Sequence, residues 1–225
     1  MWIKFSILML VALLNLSLGI IILLKNKNKD KSKLYFSLMC FSAGLWSLVS
    51  ALIQTITNSY YYIWIDRFIY VFTSISVFLF LFFSYEFPYR VKRISNFLRY
   101  FFISLTLIMI GMVLSSKFIF DVYYYNGNLY QLENKTLNLI YGLYFLFFLF
   151  YSYYLLFKKY FISSGINKTR LMFVIICTFF PFIFSVLFAW YFPYIGKHYL
   201  YWIGPVFTIL MNLSVGYLLF KKEEN

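Results

Sequence analysis

The sequence predicts an all-α membrane protein, a bundle of seven transmembrane helices with its N-terminus outside and its C-terminus cytoplasmic. Of the 225 residues, 63% are hydrophobic and only 12% are charged, far above the apolar share of about half expected in a soluble domain. Seven apolar runs each approach or exceed the length of about 20 residues that crosses a hydrocarbon core about 30 Å thick. Basic residues lie between those runs and alternate in density from one connection to the next, which sets orientation.

The first run, Trp2 to Leu24, leads into KNKNKDKSK, which carries Lys25, Lys27, Lys29, Lys31 and Lys33. A cleavable signal peptide is the competing reading, with Ser17-Leu18-Gly19 as its small-residue site. The apolar run continues through Leu24 into five lysines that cleavage would leave outside, so the segment is expected to stay as an anchor. The second run is Leu34 to Gln54 and the third Ile63 to Ser84. Pro88 stops the third helix, and Glu86 and Arg90 have the i, i+4 spacing of an ion pair. The fourth run, Phe97 to Leu114, precedes a loop of residues 115 to 136 in which Asn126-Gly127 separates two aromatic-rich stretches. Asn-Gly suits a type I′ turn because both positions tolerate positive φ, so a hairpin of about residues 119 to 132 is expected there, with an irregular interfacial loop as the alternative. Leu137 to Phe157, Leu171 to Trp190 and Tyr201 to Phe220 complete the set. Pro181 in the sixth run and Gly204-Pro205 in the seventh free backbone hydrogen bonds and are the hinge candidates. The runs are apolar on every face, unlike the alternating strands of a barrel. No Pro-, Gly- or Ser-rich linker divides the chain, which reads as one domain, residues 1 to 225.

Fifteen of the twenty basic residues fall on one side, against Lys4, Lys117, Lys135 and Lys197 on the other, with Arg67 inside a run. The positive-inside rule turns that asymmetry into N-out, C-in. Trp2, Trp64, Trp190 and Trp202 then mark the outer interface as an aromatic belt. The net charge of +13 is distributed in juxtamembrane clusters that meet anionic headgroups, so the lipid bilayer is the expected partner and nucleic acid is not. The abundance of Phe, Tyr and Lys suggests an AT-rich bacterial genome and hence a multi-pass protein of the bacterial inner membrane.

Little in the sequence suggests enzyme chemistry. Cys40 and Cys177 lie in apolar runs far from His198, the single histidine, so a thiol–imidazole pair is not expected. No clustered ligands suggest a metal and no glycine-rich phosphate loop is present, so neither cofactor nor metal is expected. The polar groups that remain gather at the outer lip: Asp66, Arg67 and His198 beside Trp190 and Trp202. They are candidate ligand-binding residues, because a pocket orients its ligand with a few polar groups set among aromatics. The competing reading makes Asp66 and Arg67 capping and snorkelling residues and the tryptophans simple belt residues.

Taken in order, several segments resemble the seven-helix N-terminal input region of bacterial membrane histidine kinases. They are the basic first loop followed by LYFSLMCFSAGLWSLVSAL, then WIDRFIYVF and FSYEFP, the hairpin loop, INKTRLMFVIICTFFPFIFSVLFAW, and YWIGPVFTILMNLSVGYLLFKK. The resemblance implies a sensory role. Family members continue into a dimerisation and kinase module, whereas this sequence stops at KKEEN, and SISVFLFL lacks the Gly and Pro expected in the third helix. The expected function is therefore a stand-alone module that senses a small ligand or a membrane state and signals in trans to a cytoplasmic protein. The alternative is a small-solute transporter, opposed by the absence of a midplane polar site and of internal repeats. A lipid-modifying enzyme is opposed by the missing catalytic cluster.

Overall fold

The computed structural model describes residues 2–26, 29–90, 94–125, 128–195 and 197–221, with the side chains of residues 124, 125, 128–130, 193, 198, 199 and 221 outside that description. The Asn126-Gly127 turn, Lys27, Lys92, Arg93, the side chain of His198 and the terminal Lys222 to Asn225 therefore lie beyond it. Among the described residues, seven helices are long and apolar enough to cross a membrane. They are α1 (Trp2–Lys25), α2 (Lys31–Leu52), α3 (Ser59–Glu86), α4 (Asn96–Leu114), α5 (Lys135–Ile162), α6 (Gly165–Val186, prolonged by a π-helical turn, Leu187–Tyr191) and α8 (Val206–Lys221, preceded by a 3₁₀ turn, His198–Ile203). A three-residue helix, α7 (Phe192–Tyr194), links the last two spans, and strands β1 (Ile119–Tyr125) and β2 (Asn128–Glu133) pair antiparallel between α4 and α5.

Polar side chains set where the helices start. Asp30, Asn58, Ser95 and Asn134 each accept a hydrogen bond from a backbone N–H in the first turn of α2, α3, α4 and α5 respectively, replacing partners that a helix start lacks. α3 and α5 each run for 28 residues, about 42 Å at 1.5 Å per residue, so both extend past a hydrocarbon core of about 30 Å.

The seventh span is not a continuous α-helix. Pro205 has no N–H with which to bond the Tyr201 carbonyl, and Gly204 N bonds it instead in a tight i→i+3 turn. The expected helix from Tyr201 is thus a 3₁₀ segment joined to an α-helix at Gly204-Pro205.

α3 is the hub of the bundle. It packs against α2, α4, α5 and both strands, while α1, α2, α6 and α8 close the remaining circuit. Two-thirds of the α3 apolar stretch is buried but only 22% of that of α4, which lies on the periphery. Phe80 anchors the middle, with ring centroids 4.8 Å from Phe182 and 5.6 Å from Tyr153. Hydroxyls add links between helices: Ser37 donates to the Gly19 carbonyl and Ser42 to the Phe72 carbonyl. Asn15 on α1 donates to Thr208 on α8 and accepts from Asn212 at 2.6 Å. Such side-chain bonds supplement van der Waals packing where lipid gives helices no hydrophobic reason to associate.

Candidate functional site

The bundle has two unlike ends, the hairpin end and the opposite end, where Lys25, Lys31, Arg90, Arg99, Lys158 and Lys168 gather; the latter is called the basic end below. At the hairpin end, three elements converge on one carboxyl group. On α3, Asp66, Tyr70 and Thr73 recur at helical spacing and share one face, and all three are buried. On β2, Gln131 and Glu133 are two residues apart and so point to the same side of the strand. On α5, Asn138, Tyr141 and Gly142 fall on a single stripe.

Glu133 is the centre of the network. Its carboxylate accepts from the Tyr70 hydroxyl, from Gln131 Nε2 at 2.7 Å and from Asn138 Nδ2. The residue keeps some exposure, but its carboxyl group is the enclosed part. Burial pushes that carboxyl above the usual carboxylate range, while the hydrogen bonds from Tyr70 and Gln131 pull it back. Asn138 passes the contact on: its Oδ1 accepts from the Trp190 indole N–H at 2.8 Å. Because an indole only donates, Trp190 fixes which end of the Asn138 amide faces Glu133.

Trp190 itself sits in the π-helical turn that follows α6. Its ring lies so close to Gly142 that a Cβ there would come within 2.1 Å of Trp190 Cζ2. Only glycine leaves room for this indole. Below it, Tyr70, Thr73, Tyr141, Gly142, Ser185 and Trp190 help enclose a cavity of about 40 Å³, room for three or four waters at roughly 10–15 Å³ each. Tyr141 and Thr73 hydroxyls share a 2.5 Å hydrogen bond at its wall. A smaller cavity of about 20 Å³ has Trp46, Thr73, Phe145 and Ser185 in its wall as well, and is also lined by Pro181 and Thr208. The two form a seam from the hairpin end into the middle of the bundle.

The sequence candidates are distributed around this seam. Arg67 donates to the Leu114 carbonyl at 3.3 Å and to the Ile119 carbonyl at 2.7 Å, and its guanidinium lies 4.9 Å from the Trp64 ring centroid. It joins α3 to the last residue of α4, where a helix dipole favours a cation, and to the first residue of β1. Asp66 is 1% exposed and interacts electrostatically with Glu133 and Arg67, and its Oδ2 has no hydrogen-bond partner among the described residues. It does not cap α3, which Asn58 does. Trp202 stands apart, with Lys4 Nζ 5.7 Å from its ring centroid. Pro181 lines the lower cavity. Gly204 is a point of close packing, where a Cβ would come within 2.7 Å of Ala189 Cβ, and its carbonyl accepts from Ser185 at 3.1 Å. Pro205 accepts from the Thr208 hydroxyl at 2.6 Å.

Sequence reasoning missed Glu133, Asn138 and Tyr70, and also Lys159 at the basic end. Lys159 Nζ, buried on α5, lies 2.7–2.9 Å from the carbonyls of Ser84, Tyr85, Phe87 and Tyr89, which share its three N–H donors. These include the last carbonyls of α3 and those just beyond, where a helix terminus lacks donors and carries negative potential. The phase of α5 held the clue, since Leu149, Ser152, Leu156 and Lys159 form one buried stripe. α3 and α5 are consequently joined at both ends, by the Glu133 network and by Lys159.

A comparison with curated proteins gives no match. The family model of the N-terminal seven-transmembrane region of histidine kinases matches residues 7–223. That match spans nearly the whole sequence and all seven helices, so the chain belongs to the family of seven-transmembrane sensory regions of histidine kinases.

Proposed function

We propose that the chain takes its stimulus at the hairpin end and delivers its output at the basic end, in trans, to a cytoplasmic signalling protein. The family supplies the sensory role. The observation that carries the rest is the Glu133–Asn138–Trp190 connection, which ties the hairpin to α3, α5 and the turn after α6. A cavity of about 40 Å³ is far smaller than the roughly 300–1,000 Å³ of a small-molecule site. In this reading a ligand of that size is admitted when the hairpin lifts and Glu133 parts from Tyr70 and Asn138. Asp66, Arg67, Trp190, His198 and Trp202 are the proposed contacts for such a ligand at the mouth. Because α3 is fastened to α5 at both ends, the two move as one body, and Pro181, Gly204 and Pro205 are where the neighbouring helices yield.

The orientation proposed is N-out and C-in in a bacterial inner membrane, supported by the fifteen-to-four distribution of basic residues. The module itself is not an enzyme in this reading. Alkaline phosphatase fused after Lys197 is then active and fused after Lys159 inactive; the reverse pattern overturns the topology. A photo-crosslinker at Phe161, exposed near the basic end of α5, recovers a kinase or response regulator if the output reading is right. Recovery of lipid alone, with solute uptake by the purified protein in liposomes, favours the transporter reading. One observation speaks for that alternative: Asn15, Thr208 and Asn212 form a buried polar group within the bundle, with Asn212 itself fully buried.

A further inference from the structure

The basic end holds a cleft that the sensory reading does not use. It measures about 330 Å³ and is lined by Lys31, Tyr35, Glu86, Arg90 and Arg99 over a floor that includes Phe82. We propose that this cleft binds the phosphate of an anionic membrane lipid.

Charge is the first argument. Three cations face one carboxylate, and that carboxylate is already engaged, because Arg90 bonds Glu86 through both Nε and a terminal nitrogen. Among the described residues, neither the Lys31 ammonium nor the Arg99 guanidinium has a hydrogen-bond or ion-pair partner. Two helices also begin here: Lys31 is the first residue of α2 and Asn96, another lining residue, the first of α4. The start of α4, capped by the neutral Ser95, adds positive potential to that of the side chains, whereas the Asp30 carboxylate already serves the start of α2; an arginine fork matches phosphate oxygens in pairs. Basic pockets between transmembrane helices are where lipid headgroup phosphates are held.

The neighbouring surface selects the lipid over a free phosphate ion. A second cleft of about 360 Å³ shares Tyr85 and Ile94 with the first, and Leu98, Tyr154, Leu155 and Ile162 make most of its wall apolar. The Tyr85 hydroxyl, 3.0 Å from that of Tyr151, lies where the two clefts meet. A headgroup in the first cleft thus has an apolar track beside it for an acyl chain. Asn96 and Arg99 of α4 line the cleft, and the same helix exposes Phe97, Tyr100 and Phe101 as an apolar surface.

The test is native mass spectrometry of the full chain in detergent, titrated with phosphatidylglycerol, phosphatidylcholine and inorganic phosphate. The expected result is retention of phosphatidylglycerol but not phosphatidylcholine, with inorganic phosphate failing to displace it. Lys31→Gln with Arg99→Gln lowers phosphatidylglycerol affinity about thirty-fold, the effect of two basic residues near a membrane surface. Lys31→Arg with Arg99→Lys keeps affinity within a few-fold, which separates loss of charge from loss of fold. Lys168→Gln leaves it unchanged, since Lys168 Nζ lies 5.1 Å from the Tyr160 ring centroid and outside the cleft. Equal retention of both lipids, or equal weakening by Lys168→Gln, overturns the proposal in favour of diffuse surface charge. Displacement by inorganic phosphate at comparable concentration overturns it in favour of a soluble anion.

Discussion

Replacing Glu133 with leucine removes the acceptor on which the hairpin is fastened. Tyr70 and Asn138 each lose the partner of a donor, while Gln131 Nε2 keeps the Tyr70 oxygen at 3.3 Å. A buried donor left unpaired costs about 1–3 kcal/mol, so two cost about 2–6 kcal/mol. Removing a desolvated carboxyl group returns part of this, which leaves a net loss of about 2–4 kcal/mol. Glu133→Gln is milder, about 1–3 kcal/mol, because one oxygen still accepts and only the amide nitrogen meets a donor where an acceptor is needed. The pH dependence has a definite sign. The folded carboxyl titrates above its ordinary value of 4.5 because of burial, so folding favours the protonated form. That contribution is complete below the ordinary value and is lost as pH rises through the folded one. Unfolding of the detergent-solubilised protein, followed between pH 5 and pH 8, should show a wild-type midpoint that falls with pH. Glu133→Leu should be less stable at pH 5 and lose this component of the slope. A leucine variant within about 0.5 kcal/mol of wild type, the scatter of an ordinary surface substitution, with an unchanged slope, refutes the network as described.

Gly142→Ala should destabilise by about 1–3 kcal/mol through overpacking against Trp190, whereas Gly111→Ala, which meets nothing within 4 Å, should be neutral or stabilise by up to about 1 kcal/mol; opposite signs in the same unfolding assay check the pair. Lys159→Met strands the carbonyls at and just beyond the end of α3, of which those of Ser84 and Phe87 are in buried bonds, and should cost about 2–6 kcal/mol at about 1–3 kcal/mol each, seen as faster hydrogen exchange in residues 80–89. Asn15→Leu breaks the link from α1 to Thr208 and Asn212 and should cost about 0.6–2 kcal/mol, read from thermal unfolding in the same detergent. Arg67→Met releases the Leu114 and Ile119 carbonyls and should speed proteolysis within residues 115–136 at unchanged membrane abundance.

The seven spans were legible because each is an apolar run of sufficient length, a local property that no tertiary contact overrides. Helix ends were less so. α3 begins at Ser59 because Asn58 caps it, four residues before the apolar run at Ile63, and polar aromatic residues such as Tyr60 and Tyr61 prolong a helix without adding hydropathy. Asp66 and Arg67 stood out by charge, and their helical phase with Tyr62, Tyr70 and Thr73 would have placed them on the buried face. Glu133 was not legible at all. Its role depends on the hairpin folding back so that β2 meets α3, in contacts 61 to 63 residues apart in the chain. Lys159 was counted with Lys158 as a loop charge, although one is buried and the other exposed. Total charge sets orientation, whereas helical phase decides which lysine works inside.

Whether the state of the hairpin network reaches the basic end can be read from a distance between helices. Spin labels at Phe161 on α5 and Tyr217 on α8, both exposed, report the separation of those helices in lipid nanodiscs. Glu133→Leu, which detaches the hairpin, should shift the pulsed electron resonance distance distribution by about 1–2 Å or more, the scale of helix shifts in switching proteins. An unchanged distribution, in a variant whose hairpin amides exchange faster than those of wild type, would contradict it.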